Sequence, residues 1–518
     1  MSNVKLRDYQ GAKWDEPIIM TLGTPGERGV IPPEADPKVV EAVGGVDQLM
    51  PERIRRKTPP ALPEMSQYHV LQHFLRLSQE TMGMDLGMDI GEGTCTMKYS
   101  PKMHEELVRS EKYAALHPLQ GEDTLQGILE IVYKFEQFLK EISGMHRFTF
   151  QPGGGSHATY TNACVMRKYH QSRGELNQRD EMITTMFSHP CDAATPATAG
   201  FKVITLMPDA NGYPDLDALK AVVSERTAGI MFTNPEDTGI YNPRVAEYVK
   251  VVHDAGGLCF YDQANANGVM GYARAFDAGF DGCHFNLHKT FSSPHGCEGP
   301  AGGAYGVREF LAPFLPVPLV NFDGTKYTMD YDRPESIGKV RSFMGNLECV
   351  LRAYAWVMSM GAEGLKTVAE TSVLNNNYLD KLLMAIKGVD RPYAEGKRRM
   401  EQVRYTMEPL KEATGFGSED IKRRMVDFGI QGYWLSHHPW VVPEPFTPEP
   451  CETYSKADCD YWAAAVAQSV KEAWESPDMI DNAPHRQPAT KIKDHSVTED
   501  PARWATTWRA YEKKYGKK

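Results

Sequence analysis

Between about Gly91 and Pro318 short apolar runs alternate with longer stretches of helix-forming composition, and this alternation restricts the fold more than any other feature of the chain. Phe201 to Leu206 and Gly229 to Thr233 read as strands. Asp215 to Arg226 and Pro243 to Ala255 read as helices beside them. Strands separated by helices of that length form a mainly parallel sheet with helical crossovers. The 518 residues exceed one ordinary domain and divide on this reading into three parts. Residues 1–90 form an arm rich in proline and charge, marked by Pro32-Pro33 and Pro59-Pro60. Residues 91–330 form a large α/β domain. Residues 331–518 form a smaller C-terminal domain and tail, helical over Val340 to Leu383 and again over Tyr461 to Glu475, with short strands between.

Three segments carry chemistry. Asn286-Leu287-His288-Lys289-Thr290 ends an apolar run and precedes the glycine-rich stretch Gly296 to Gly306. A lysine forms a Schiff base with an aldehyde only when its amine is held in place and partly desolvated. Upstream, the apolar run Leu258-Cys259-Phe260-Tyr261 ends in Asp262, followed by Gln263, Ala264 and Asn265. Ligands of open α/β sheets lie off the carboxyl ends of the strands, so Asp262 and Lys289 are expected to emerge side by side. The pair suits pyridoxal phosphate, whose ring nitrogen stays protonated against a carboxylate. The third segment is Gln151-Pro152-Gly153-Gly154-Gly155-Ser156-His157, leading into a helix over Ala158 to Arg173. Glycines let backbone approach a phosphate, and a helix start favours the dianion, so Gly154, Gly155 and Ser156 are candidates to hold it, with His157 over the ring face.

On these and other stretches the chain resembles the pyridoxal-phosphate-binding subunit of glycine decarboxylase, the P-protein of the glycine cleavage system. The stretches are Pro25-Gly26-Glu27-Arg28-Gly29, Cys95-Thr96-Met97-Lys98-Tyr99, Ala114 to Gln120, Asn286 to Phe291, Ser336 to Arg341 and Asn482-Ala483-Pro484-His485. The likeness runs from about Glu16 to about Pro488. It implies an aspartate-aminotransferase-like fold of type I, with a mainly parallel seven-stranded large domain and a smaller α+β domain. It further implies that Lys289 carries the cofactor, Asp262 meets the ring nitrogen, Ala264 packs beneath the ring, His157 stacks on it, and His288 and Asn286 flank the lysine. Thr96 and Lys98 fall near the mouth of the site. The implied reaction is loss of the glycine carboxylate and transfer of the aminomethyl group to a lipoyl carrier protein. A substrate carboxylate is matched in two-point fashion by a guanidinium, for which Arg341 and Arg352 are the candidates.

The departures concentrate in loops expected to face substrate. The family's Ser-Ala-His-Gly-Thr-Asn-Pro becomes Ser188-His189-Pro190-Cys191-Asp192-Ala193-Ala194-Thr195-Pro196, which makes His189 a substrate candidate. Its Tyr-Pro-Ser-Thr-His-Gly becomes Asn234-Pro235-Glu236-Asp237-Thr238-Gly239, and its run of four glycines is broken by Cys297 and Glu298. Glu236, Asp237 and Glu298 would favour a larger or cationic amino acid. A stand-alone enzyme acting on such a substrate by side-chain elimination and carbon–carbon bond formation, and a non-catalytic scaffold, are therefore alternatives to the glycine reaction.

A net charge of −11 argues against nucleic acid as partner, and the short basic run Arg53 to Lys57 reads as a solvated linker. No apolar run has the length of a membrane span and Met1 to Lys5 lack a signal-peptide core, so the cytoplasm is expected. Nine scattered cysteines with no pair at zinc spacing give no expectation of a metal. Adjacent His437 and His438 point to opposite faces of an extended segment and cannot share an ion from there. A homodimer, or a heteromer with a separate first subunit, is the expected assembly.

Overall fold

The computed structural model describes residues 4–83, 86–91, 93–293, 301–432, 435–436, 441–488, 491–492 and 496–516. The chain divides into two units, Met1–Asp8 with Gly83–Asn482, and Tyr9–Met82 with Ala483–Lys518.

The larger unit is built on a seven-stranded sheet: β1 (Arg147–Thr149), β2 (Glu181–Thr185), β3 (Lys202–Leu206), β4 (Thr227–Thr233), β5 (Leu258–Gln263), β6 (Gly282–Asn286) and β7 (Gly303–Val307). They lie in the order β1-β7-β6-β5-β4-β2-β3. From β6 to β3 every neighbouring pair is parallel, and β7 runs against both β6 and β1. The helices Cys191–Thr198, Leu216–Val222 and Val245–Asp254 supply the crossovers from β2 through to β5. After β2 the chain steps to the edge and then returns past it to β4, so the order reverses between β2 and β4. Loops leaving these two carboxyl ends open a crevice.

Alternation along each strand sorts the side chains to two faces. Phe232, Tyr261 and Phe285 pack into the core shared with helix Gln126–Ser143 and the first part of helix Leu347–Leu383. Met231, Phe260 and Tyr305 pack on the other face against Ala163, Val165 and Met166 of helix Gly155–Ser172. Two positions from Phe260 on the same face comes Asp262, and opposite it in register on β6 comes His284. The Phe260 and His284 rings stack with centroids 5.5 Å apart, which fixes this face. Asn286, two beyond His284, also faces the helix Gly155–Ser172. The sequence therefore aims one carboxylate, one imidazole and one amide at a helix N-terminus.

A third core joins the second half of helix Leu347–Leu383, helix Ser418–Met425 and helix Lys456–Glu475 through Leu379, Leu383, Ile421, Met425, Trp462 and Val466, with a short antiparallel pair, Tyr405–Thr406 and Pro445–Phe446, at its margin. Helix Lys456–Glu475 starts at a capping box in which Ser455 Oγ accepts from Asp458 N–H and Asp458 accepts from Ser455 N–H at 2.8 Å.

In the smaller unit, helix Gln67–Gln79 carries His73, whose Nδ1 lies 2.8 Å from Glu16 Oε1, and Gly11 N–H donates to the Arg486 carbonyl. Among the described residues no helix is long and apolar enough to cross a membrane.

Candidate active site

Lys289 sits three residues past β6 and is buried. Its turn is closed by Lys289 N–H to the Asn286 carbonyl and by Ser292 N–H to the Lys289 carbonyl, both 3.1 Å. The adjacent Thr290 Oγ1 accepts from Ala266 N–H at 2.9 Å, joining the lysine turn to the loop that follows Asp262. Asp262 Oδ1 accepts from Ala264 N–H at 2.8 Å and lies 3.5 Å from His284 Nε2. Burial holds His284 below its ordinary pKa, so the imidazole is neutral at pH 7. Asp262 Oδ2 is buried with no hydrogen-bond partner among the described residues.

The glycine loop closes on the same face. A methyl on Gly155 would lie 2.8 Å from Asn286 Nδ2, and one on Gly303 would lie 2.9 Å from the Gly154 carbonyl, so strand, loop and helix start meet at backbone distance. The His288 ring lies beside Gly154 and hydrogen-bonds the backbone of Gly302 through Nδ1. His157 Nδ1 accepts from Gly153 N–H at 3.1 Å. Burial and the neighbouring Arg341 charge hold the His157 imidazole below its usual value. Arg341 reaches Gly153 and lines a cavity of about 580 Å³ with Tyr113, Leu116, Phe343 and Asn346. Arg352 is held elsewhere, in a two-point pair with Glu105 at 2.8 and 3.0 Å.

A buried carboxylate oxygen with no partner among the described residues, on the same sheet face as a glycine loop at a helix start, fits pyridoxal phosphate: Asp262 would meet its ring nitrogen and Gly154 to Ser156 its phosphate.

Further candidates are tied down. Thr96 takes a left-handed backbone (φ 47°), uncommon for a β-branched residue, and donates to Glu449 Oε2. Lys98 is buried, donates to Glu452 Oε1 at 2.8 Å and Asn267 Oδ1 at 3.1 Å, and lies over the Trp356 ring. His189 Nδ1 accepts from Cys191 N–H at the start of helix Cys191–Thr198. Glu236 is buried and hydrogen-bonds Thr185; burial raises its carboxyl to about 8, so it is mostly uncharged at pH 7. Asp237 is paired with Arg404. Neither acid offers a free negative charge to a cationic substrate. Cys297, Glu298, His437 and His438 lie outside the described residues.

Three acids that sequence reasoning missed stand at the site. Glu449 Oε2 also accepts from Asn265 Nδ2 at 2.9 Å, while Oε1 is buried without a partner among the described residues. Burial and the charge of Glu401 raise its carboxyl to about 8, with Lys289 close enough to oppose that rise. Glu401, also buried, is raised to about 7 and packs against Gly268. Asp192 lies beside Asp262. No local pattern marks these three, because the contacts that define them are long-range.

No family model matches the chain. Curated relatives do. It is 43% identical over 506 residues to a probable glycine dehydrogenase (decarboxylating) subunit 2 of Pyrococcus abyssi, covering 97% of this chain and 98% of that protein. A protein of the same name from Thermococcus kodakarensis is 43% identical over 505 residues, covering 97% and 98%. The chain belongs to the glycine dehydrogenase (decarboxylating) subunit 2 family. Among solved structures, glycine decarboxylase (P-protein) of the glycine cleavage system in inhibitor-bound form superposes with a TM-score of 0.70 at 17% identity, covering 85% of this chain and all of that one. A cysteine desulfurase from Escherichia coli follows the fold at 0.56, with 15% identity and coverage of 77% and 97%. The family's expected architecture, a fold-type-I α/β sheet, is the one observed.

Proposed function

We propose that this chain is the pyridoxal-phosphate-binding subunit of a glycine decarboxylase, removing the glycine carboxylate as carbon dioxide and passing the aminomethyl group to a lipoyl arm on a carrier protein. The observation that carries the reading is Asp262 Oδ2, buried near the end of β5 with no partner among the described residues while the next strand leads to Lys289. The relatives' name supports the substrate. The pairing of Asp237 with Arg404 and the mostly uncharged Glu236 weaken the case for a cationic amino acid, and the presence of Lys289, Asp262 and His157 goes against a scaffold role.

Bound here, pyridoxal phosphate would take up the electron pair left on Cα when the bond to the carboxylate breaks. The chain supplies the rest. Lys289 would provide the amine that anchors the cofactor aldehyde. Gly154, Gly155 and Ser156 would offer N–H groups and a hydroxyl to its phosphate, with Asn286 and His288 packed beside the loop. His157, held below its usual pKa by burial, would meet the ring uncharged, and Ala264 would pack against it. Arg341 would grip the substrate carboxylate and set which Cα bond stands perpendicular to the ring. Thr96, Lys98 and His189 hold the surrounding loops.

A partner chain fits this reading, because the relatives are named as a second subunit. Helix Gln67–Gln79 exposes Tyr68, Leu71, Phe74 and Leu75, an apolar face suited to a first subunit or a second copy. A cytoplasmic location goes with this assignment.

The test is to load the purified chain with pyridoxal phosphate, reduce it with borohydride and map the labelled peptide. In a separate, unreduced sample, exchange of labelled bicarbonate into glycine is followed with the first subunit and a lipoyl carrier present. Label at Lys289 and glycine-dependent exchange are expected. Label on another lysine, or turnover of bulky amino acids alone, would refute the assignment.

A further inference from the structure

The loop after β2 leads into a helix whose second residue, an acid, stands against Asp262. Asp192, second in helix Cys191–Thr198, is fully buried, and neither of its oxygens has a hydrogen-bond donor among the described residues. One of its oxygens, one of Asp262 and Cys191 Sγ all lie within 4.8 Å of one another. Two carboxylates this close in a dry pocket repel strongly when both are ionised, so the pair keeps a proton. We propose that Asp192 holds this proton and donates it in a hydrogen bond to Asp262, leaving Asp262 as the single negative charge presented to the pyridinium nitrogen. Asp192 is thus a positioning residue that acts through Asp262, and the inference rests on Asp262 facing the cofactor ring.

The surroundings decide which acid keeps the proton. Asp262 accepts from the Ala264 N–H at 2.8 Å, whereas neither Asp192 oxygen has a donor among the described residues, so the proton is assigned to Asp192. Burial, then the neighbouring Asp262, push the Asp192 carboxyl well above the usual range. Cys191 does not compete as a base. Burial and the two aspartates raise its thiol, which hydrogen-bonds Thr159 and Ser156 of the phosphate-loop helix. The start of helix Cys191–Thr198 therefore joins three pieces: helix Gly155–Ser172, the proton-bearing acid and Asp262.

The experiment compares the wild type with Asp192→Asn and Asp192→Ala in the full chain. Apoprotein is titrated with pyridoxal phosphate by visible absorbance, and its melting temperature is followed from pH 5 to pH 9. An asparagine amide replaces the O–H donor with an N–H donor, so Asp192→Asn should bind the cofactor within about threefold of wild type, whereas Asp192→Ala should bind it at least about tenfold more weakly. A carboxyl kept neutral in the fold loses stability as pH rises, because unfolding then releases its proton. The melting temperature of Asp192→Asn should therefore gain on that of wild type as pH increases. Equal weakening by Asn and Ala would mean that a carboxylate, not a donor, is required and would overturn the proposal, as would wild-type binding by both. If Asp192→Ala does not fold, the pH trend of Asp192→Asn decides. Failure of the wild type to take up cofactor at Lys289 would instead remove the assignment of the site, while the melting series would still report which acid holds the proton.

Discussion

Thr96 Oγ1 donates to Glu449 Oε2 at 2.8 Å, joining residues 353 positions apart beside Lys289. Burial and the Glu401 charge raise the Glu449 carboxyl to about 8. Unfolded, this carboxyl ionises in the ordinary range near pH 4.5; folded, it stays protonated to about pH 8. Its contribution is thus fully present in acid and is lost as pH rises through that window, by about 1.4 kcal/mol per pH unit at most. Chemical denaturation of apoprotein should show Glu449→Gln gaining on wild type from pH 5 to pH 8. A gap that stays constant across the series would count against a protonated Glu449.

Gly155→Ala should weaken cofactor binding more than it weakens the fold. The added methyl would lie 2.8 Å from Asn286 Nδ2 and 3.1 Å from Oδ1, displacing an amide against the phosphate loop. Titration with pyridoxal phosphate should show at least about a tenfold loss, equivalent to 1.4 kcal/mol, with apoprotein melting nearly unchanged. Unaltered affinity would place the phosphate elsewhere.

Arg341 and Arg352 should separate cleanly. Arg341 is exposed at the glycine loop, so Arg341→Ala should raise KM for the amino acid with little change in melting temperature. Arg352 is buried in its pair with Glu105, so Arg352→Ala should cost about 3–5 kcal/mol of stability by leaving a half-buried carboxylate unpaired. Steady-state kinetics and denaturation of both variants would expose a reversed pattern.

Arg404→Leu should destabilise the chain and alter substrate handling together. It strips Asp237 of its partner and frees a negative charge on the loop after β4. Cationic amino acids should then compete with glycine better than they do against wild type. If competition is unchanged, the loop lies away from the substrate.

Much of this was legible because local sequence carries it. The β3, β4 and β5 runs and their helices follow from periodicity, and Asp262 and Lys289 follow from their places just past apolar strands. The helix expected over Ala158 to Arg173 begins at Gly155, so Ser156 and His157 lie within its first turn. The helix expected from Val340 begins at Leu347, because the preceding residues loop through Gly345 at φ 92°, where a side chain would overlap the Phe150 carbonyl. His284 was detectable in principle, since it faces Asp262 in parallel register. Glu401 and Glu449 were not, because nothing near them in the chain distinguishes a buried acid from a solvated one. The roles of Glu236 and Asp237 depended on partners, Thr185 and Arg404, that only folding brings near.

Glu449 supplies the acceptor for both Thr96 and Asn265, yet it is made long after either of them. A chain lacking this glutamate would leave the Thr96 hydroxyl and the Asn265 amide without that acceptor. One late carboxyl thus tethers two earlier loops, and its loss would release both tethers together.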